Sequence, residues 1–567
     1  METVSCDVLV IGGGAAGLRA AIEATRTANL SVAVLSKVYP MRSHTVSAEG
    51  GVAAVLKEGD TEALHAWDTV KGSDFLADQN AVEFFVRRAS REVVQLDHWG
   101  CPWSRGPDGR LAVRAFGGMS TRRTAFAADK TGFHLLHTLY QTCLKYDNIV
   151  WYDEWFVTSL LVEEGRIRGV TAINLLTGNM AVVACKAAVL ATGGAGRIYE
   201  FTSNGNVNTG DGMALACRAG APLKDMEFVQ YHPTLLPGSG ILMTEAARGE
   251  GGYLVNREGE RFLKRYLPEK MELGPRDMIS RAIMRELREG KGVEGEYGQH
   301  VFLDVTHLGS EVLDTRLSLL KELAMKHGGI DPAKELIPVR PGVHYFMGGV
   351  STNMAGETSI PGLFAAGEVA CVSINGANRL GSNSLPECLV FGAQAGLQAA
   401  RFAVDPVEAS DPSISGLAGS EESRVFGMLK REEGSERVSE LQGELQKTME
   451  SNVGIFREET GLLDACRKIR ELKTRLGRAS IEGKGRVYNT ELLGALQLSF
   501  MLDVAEAVCY SALNRRESRG AHYRVDYPSR NDGLYLYHTL VLRGTEEPIV
   551  EQAPVSVTKW RPEERRY

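Results

Sequence analysis

A chain of 567 residues, 44% apolar and 24% charged, has the composition of a globular protein, and its length leaves room for several units with large cores. The formal net charge of -7 argues against the broad basic surface of a nucleic-acid binder, so a small anion would be held by a local cluster of cations. Nine scattered cysteines with no CxxC among them argue against a cysteine-ligated iron-sulfur, zinc or haem centre within the chain.

In chain order, residues 6–11 read as a buried strand, 12–17 as a turn, 15–27 as an Ala-rich helix and 31–35 as a second strand. This is the opening of a βαβ unit. Gly12-x-Gly14-x-x-Gly17 lies between strand and helix, where the first glycine permits the turn, the second admits a pyrophosphate and the third packs helix on strand. The helix amides and dipole then face the phosphates. The second strand ends in Ser36-Lys37 instead of the acidic residue expected for a ribose, so NAD, NADP and FAD all remain open at this point.

From about residue 157, apolar and polar residues alternate through turn signals at 163–166 and 176–179, which predicts a small β-meander ending in a strand over 187–191. Residues 235–345 change character, with charged helix-like runs such as 276–288, and read as an inserted lid. A strand over 363–366 resumes the first pattern, and a helix follows from Pro386, a residue suited to the first helical position. Its positive end would point at residues 379–385 and could stabilise negative charge on a bound ring. Leu462, Cys466, Ile469, Leu472 and Leu476 share one helical face, the stripe of a helix-bundle core. The tail 559–567 carries no motif and reads as solvated surface.

Two further segments favour FAD: Ala191-Thr192-Gly193-Gly194 after the meander, and Gly367-Glu368 after the later strand. Their order after the glycine motif, separated by a meander and an insertion, is how a two-domain flavoprotein folds around an extended FAD. Glu368 would then hold ribityl hydroxyls; the other reading is a turn carboxylate that caps the next element. The expected fold is α/β (α+β multidomain): a Rossmann-like FAD-binding domain over 1–234 and 346–409, a capping domain over 235–345, a helical bundle domain over 410–524 and a small C-terminal domain or tail over 525–567. Apolar runs such as Val8 to Ile11 fall far short of the roughly 20 residues that span a bilayer, so no segment is expected to cross one. With neither a basic n-region nor a transit-like segment near Glu2 and Asp7, the chain reads as intracellular or already processed.

The remaining motifs run along nearly the whole chain. They are Arg42-Ser43-His44-Thr45 with Ala48-Glu49-Gly50-Gly51, Gln230-Tyr231-His232-Pro233-Thr234, Thr244-Glu245-x-x-Arg248-Gly249-Glu250-Gly251-Gly252, Pro275-Arg276-Asp277, His344-Tyr345, Asn378-Arg379-Leu380-Gly381-Ser382-Asn383-Ser384-Leu385 and Ser518-Arg519-Gly520-Ala521-His522. In content and order the chain resembles the flavoprotein subunits of succinate dehydrogenase and fumarate reductase.

That resemblance implies FAD bound covalently through His44, a linkage that raises the flavin potential to meet oxidation of an unactivated C–C bond. It implies cofactor contacts at Gly12, Gly14, Ala15, Ala16, Gly17, Ser36, Lys37, Ser43, His44, Thr45, Ala48, Gly50, Gly51, Thr192, Gly193, Asp211, Glu368, Ser384 and Leu385. His344 and Arg379 would clamp one carboxylate of a dicarboxylate substrate, and His232 and Thr244 the other. Arginine at 379 can make a bidentate fork where lysine would be a point charge.

Hydride would pass between substrate and flavin N5, and a proton between substrate and Arg276, with Glu245 and Arg248 relaying it to solvent. Free arginine, with a pKa above about 12, serves more readily as the acid of fumarate reduction than as a base. Leu235 and Ala246 stand where the family commonly has glycine, a departure in loop conformation and not in functional side chains. With no cluster cysteines in the chain, electrons would leave to an iron-sulfur subunit and then to a membrane anchor with quinone. The chain would sit peripherally on the cytoplasmic or matrix face, and a flavinylation factor could assist cofactor attachment. The nearest rival is an L-aspartate oxidase-like enzyme with free FAD, which His44 discriminates against; a second is an electron-transfer or scaffold subunit with no substrate of its own.

Overall fold

The computed structural model describes residues 1–404, 412–431 and 436–566. The expected boundary at 409/410 lies outside the described residues.

A seven-stranded sheet forms the centre. Glu2–Ile11 pairs in parallel with Val32–Ser36 on one side and with Met180–Leu190 on the other, and Val32–Ser36 pairs onward with Ile149–Asp153. The opening strand starts at Glu2 instead of residue 6, because its first residues find ladder partners in Ala181 to Cys185 that local hydropathy does not reveal. Helix Ala15–Thr27 covers one face and packs against Ser384–Val404. Strands Trp155–Glu163, Arg166–Asn174 and Met180–Leu190 form the antiparallel meander, and Leu363–Ala365 returns to pair in parallel with the end of Met180–Leu190. Two parallel strand ends, at Ile11 and Ala365, are thereby brought side by side across Leu190. Ligands of open parallel sheets bind at such carboxyl ends.

The helix expected from Pro386 begins two residues earlier, at Ser384. Proline still fits, because none of the first four helical N–H groups has an intrahelical acceptor. Residues from Leu236 to Val339 bury a core of their own, with helix Arg276–Arg288 over a four-stranded antiparallel sheet that includes Val229–Leu235 and Ile337–Phe346. Leu235 closes the first of these strands and Ala246 lies in the short helix Glu245–Gly249, both buried. Neither has the positive φ that would demand glycine.

The stripe Leu462, Cys466, Ile469, Leu472 and Leu476 is buried in a helical unit formed with Val438–Asn452 and Thr490–Asn514. Thr490–Asn514, 25 residues long, is apolar enough to cross a membrane, which corrects the expectation that no run reaches that length. Here its Leu496, Met501, Val504 and Val508 fill the helical core, and Asp503 pairs with Arg218 and Lys473.

The distal segment is corrected in part: five of the eight described residues over 559–566 are exposed, as read, and the others are partly covered. Tyr537–Leu542 and Ile549–Pro554 extend a five-stranded sheet through Leu223–Lys224, and the stretch read as solvated docks Trp560 against Trp67 and buries most of the Arg565 side chain. Gln79 holds this stretch by accepting from the Thr558, Lys559 and Trp560 amides.

His538, on the first of these strands, is 1% exposed between Asp225 (2.7 Å) and Asp78 (3.2 Å). Burial alone would lower its pKa, but the two carboxylates outweigh burial and Lys224 and hold it up at about 9. A folded-state value above the unfolded 6.5 contributes stability that is complete below pH 6.5 and is lost as pH rises through 9. The loss amounts to about 3 kcal/mol at most. Melting curves on either side of this window should show it, and His538→Gln, less stable at the outset with two carboxylates unpaired, should lack the further alkaline loss.

Candidate active site

The glycine turn is shaped by the chain around it. A Cβ on Gly12, at φ +119°, would lie 2.2 Å from the Ala191 carbonyl oxygen, and one on Gly17 would lie 1.9 Å from that of Gly12. Gly17 therefore serves helix-strand packing and, unlike the other expected cofactor residues, does not line the cavity. Gly14 is less crowded: its Cβ would come no nearer than 3.3 Å to the Thr45 hydroxyl and 3.8 Å to the Ser43 side chain. Its freedom is therefore of use toward a ligand. Ala15 N–H at the helix start donates to Thr45 Oγ1 (3.1 Å), which joins the turn to the His44 segment.

One continuous cavity runs from this turn, past Ser36 and Lys37, along Ser43 to Gly51, beside Thr192, Gly193 and Asp211, to Glu368, Ser384 and Leu385. Its far end is lined by His232, Thr244, Glu245, Arg276, His344 and Arg379. Every expected site residue except Gly17 and Arg248 lines it. Lys37 and Asp211 face each other at 2.6 Å, so Asp211 neutralises the lysine. A Cβ on Gly194 would lie 2.2 Å from Glu368 Oε1, which also accepts from Phe346 N–H (2.9 Å). Burial raises the Glu368 pKa to about 7.

His44 opens a short 3₁₀ turn, and its Nδ1 accepts from Gly205 N–H (3.4 Å). Burial lowers its pKa to about 4, so the ring is neutral with Nε2 directed away from that bond.

At the far end, Arg276 begins its helix and donates from Nε to Glu245 Oε2 (2.8 Å) and from Nη1 to Gln230 Oε1 (3.0 Å). Glu245 also accepts from Gly117 N–H (3.0 Å), and Arg248 Nη2 stands 3.5 Å from it. Despite burial, the Arg276 and Arg248 guanidiniums hold the Glu245 carboxyl below the ordinary range. Arg276 thus pairs with Glu245, while Asp277 pairs with Arg281 and Arg565, so the two neighbours do not form a bridge with each other. Arg248 lies behind the cavity with its side chain fully buried, and its one close bond runs to the Glu272 carbonyl (2.7 Å). It touches the Arg276–Glu245 pair but not solvent.

His232 accepts at Nδ1 from Thr234 N–H (3.3 Å), which puts the ring proton on Nε2, a buried donor with no acceptor among the described residues. His344 Nδ1 lies 2.8 Å from Ser203 Oγ, and the two imidazoles are 5.1 Å apart. Burial, then the nearby guanidinium of Arg276, push both pKa values well below the usual range. Arg379 is 3% exposed over the Tyr345 ring (4.3 Å), with Nε unpaired and a long bond from Nη1 to the Leu380 carbonyl. Burial and the charge of Arg276 lower its pKa to about 10.

Sequence reading gave no role to Glu49, whose pKa is raised to about 8 by burial and by Asp129 and whose carboxyl meets Thr244. Nor did it find Glu387, which accepts from Tyr345 Oη (2.7 Å) and Asn375 (2.9 Å) beneath Arg379. Glu49 lies inside a recognised motif, a signal that could have flagged it; the partners of Glu387 are too far apart in sequence to show.

A dinucleotide cradle that opens into a buried, cationic pocket defines a flavin-dependent oxidoreductase. Residues 7–385 match the family model described as FAD binding domain, and residues 442–567 match that described as fumarate reductase flavoprotein C-term. The chain belongs to the family of fumarate reductase and succinate dehydrogenase flavoprotein subunits. It is 54% identical over the full length of both chains to the fumarate reductase flavoprotein subunit of Mycobacterium tuberculosis. It is 44% identical to the succinate dehydrogenase flavoprotein subunit of Rickettsia bellii, over 97% of this chain and 95% of that one. A solved chain of E. coli quinol fumarate reductase superposes with a TM-score of 0.98 at 46% identity, covering 100% of this chain and 99% of that one.

Proposed function

We propose that this subunit interconverts succinate and fumarate. The observation that carries the reading is Arg379, a guanidinium sealed from solvent with no carboxylate in salt-bridge contact among the described residues, set in a pocket with two neutral imidazoles. A buried cation of that kind calls for an anion, and a dicarboxylate supplies one at each end. Arg379 and His344 bind one carboxylate, and His232 Nε2–H and the Thr244 hydroxyl bind the other. FAD, for which Gly14 leaves space at the turn, supplies the hydride acceptor or donor. Lys37, Asp211 and Glu368 line its path.

Arg276 holds the proton for the other carbon. With Nε on Glu245 and Nη1 on Gln230, its remaining nitrogen Nη2 is the one directed to substrate. Glu245 orients the guanidinium and passes the proton onward to Arg248. The packing of Arg248 against a backbone carbonyl supports a resupply role only if the Glu272 segment opens.

His44 holds FAD covalently through Nε2, since Gly205 N–H occupies Nδ1. Electrons leave to an iron-sulfur subunit docked on a membrane anchor that meets quinone, which places the chain peripherally on the cytoplasmic or matrix face, with a flavinylation factor assisting attachment.

The test is attachment with turnover. Acid-denatured protein should keep yellow fluorescence on a gel and His44→Ala should lose it, while the native complex reduces a dye with succinate. Pigment released on denaturation, or indifference to both succinate and fumarate, would overturn the reading.

A further inference from the structure

The helix that presents Arg276 belongs to the unit with the separate core, yet its first turn is gripped from outside that unit. Asp277, adjacent to Arg276 and with no side-chain exposure, pairs with Arg281 (2.9 Å) on the same helix and with Arg565 (2.7 Å) from the distal segment. Arg565 also reaches Asp74 (3.2 Å), in the loop between helices Glu62–Gly72 and Gln79–His98 of the FAD-binding unit. One side chain, 7% exposed, therefore joins a carboxylate on the capping helix to a carboxylate on the FAD-binding unit.

The segment that carries it lies on the FAD-binding side. Ser556 N–H donates to Asp78, Gln79 takes three successive amides, Trp560 rests on Trp67, and the Arg566 carbonyl accepts from Lys71. Asp74 and Phe75 both have positive φ (55° and 59°), a conformation that non-glycine residues hold only where the surroundings over-determine it. Gly520 N–H and Arg530 also hold the Asp74 carboxylate, and Arg519 donates to its backbone carbonyl (3.0 Å). A cavity lined by Asp74, Met278, Arg281, Arg530 and Arg565 flanks the crossing, so charged side chains make the contact at this edge.

We infer that residues 556–566 form a strap across the two units, and that Arg565 is a positioning residue that fixes the first turn of Arg276–Arg288 and thereby the placement of the Arg276 guanidinium. The inference rests on the reading of Arg276 as the group that moves the substrate proton. Arginine is required because its planar fork can serve two carboxylates at once, which an ammonium on a flexible stem does poorly. The pull of Arg565 and Arg281, against burial, holds Asp277 at about 2, so its charge is retained throughout the working range.

Removal of the Arg565 charge should leave a folded protein, because Asp277 keeps Arg281 and Asp74 keeps Arg530. In the assembled, flavin-loaded enzyme, Arg565→Gln should lower kcat by about tenfold or more, since a displacement near 1 Å at a reacting group costs up to about 10²-fold. The inhibition constant for malonate, a dicarboxylate that lacks the reacting carbon pair, should stay within about threefold, and the solvent isotope effect on kcat should rise as proton delivery becomes limiting. Arg565→Lys should recover part of the loss. Wild-type kcat in Arg565→Gln would overturn the strap, as would a kcat loss matched by equal losses of malonate affinity and flavin content. Arg276→Gln in the same assay separates the two ideas: turnover that survives it removes the reading of Arg276, whereas turnover lost there but intact in Arg565→Gln removes the strap alone.

Discussion

Replacing Arg276 with glutamine should lower kcat in both directions by about 10³-fold, within the range that a positioned general acid contributes. Glutamine keeps a planar donor near Gln230 and Glu245 but has no proton to exchange. The proposed carboxylate clamps, His344 with Arg379 and His232 with Thr244, hold no hydrogen bond to Arg276, so malonate affinity should change little. The signature is a kcat effect without a matching binding effect, which marks an interaction made in the transition state. Glu245 would keep Gly117 N–H and the more distant Arg248, and its pKa would rise toward the ordinary range. Activity within about tenfold of wild type would move the proton to His232, whose Nε2 is 4.0 Å from Glu245.

The cofactor half of this site was legible in the sequence because its demands are local. Gly12 and Gly17 are required by backbone atoms a few residues away or on the adjacent strand, so a spacing of glycines after an apolar run predicts the turn. The same holds for helix Arg276–Arg288, whose apolar and charged periodicity and preceding proline mark its start. The proton site was legible only as a set of motifs. Glu245 and Gln230 lie 31 and 46 residues from Arg276, and nothing local in the sequence says that their side chains converge. The distal segment was least legible, since Asp277 and Arg565 are 288 residues apart and the charges of Arg561, Arg565 and Arg566 look alike in a string. Thr490–Asn514 was passed over for the opposite reason: Asp503 and Glu506 break its apolar run, and only packing shows them paired with Arg218 and Lys473.

Arg379→Gln should raise KM for succinate and fumarate by about 10² to 10³-fold, equivalent to roughly 3–4 kcal/mol, the cost of truncating one partner of a buried charge pair. Its second effect has the opposite sign to that of most core substitutions. Without dicarboxylate the wild-type guanidinium is a buried cation with no carboxylate in salt-bridge contact among the described residues; burial and the field of Arg276 outweigh the more distant Glu368 and Glu387 and lower its pKa to about 10. Its removal relieves desolvation and repulsion, so the substrate-free variant should melt at or above the wild-type temperature. Malonate, which stabilises wild type by linkage in proportion to its affinity, should no longer shift the variant's melting point. Arg379→Lys should fall between the two, because an ammonium restores the charge without the fork. A substrate-free variant that melts well below wild type would mean that Arg379 is a structural cation satisfied by Tyr345 and the Leu380 carbonyl. The pocket would then lack the unpaired charge on which dicarboxylate recognition depends.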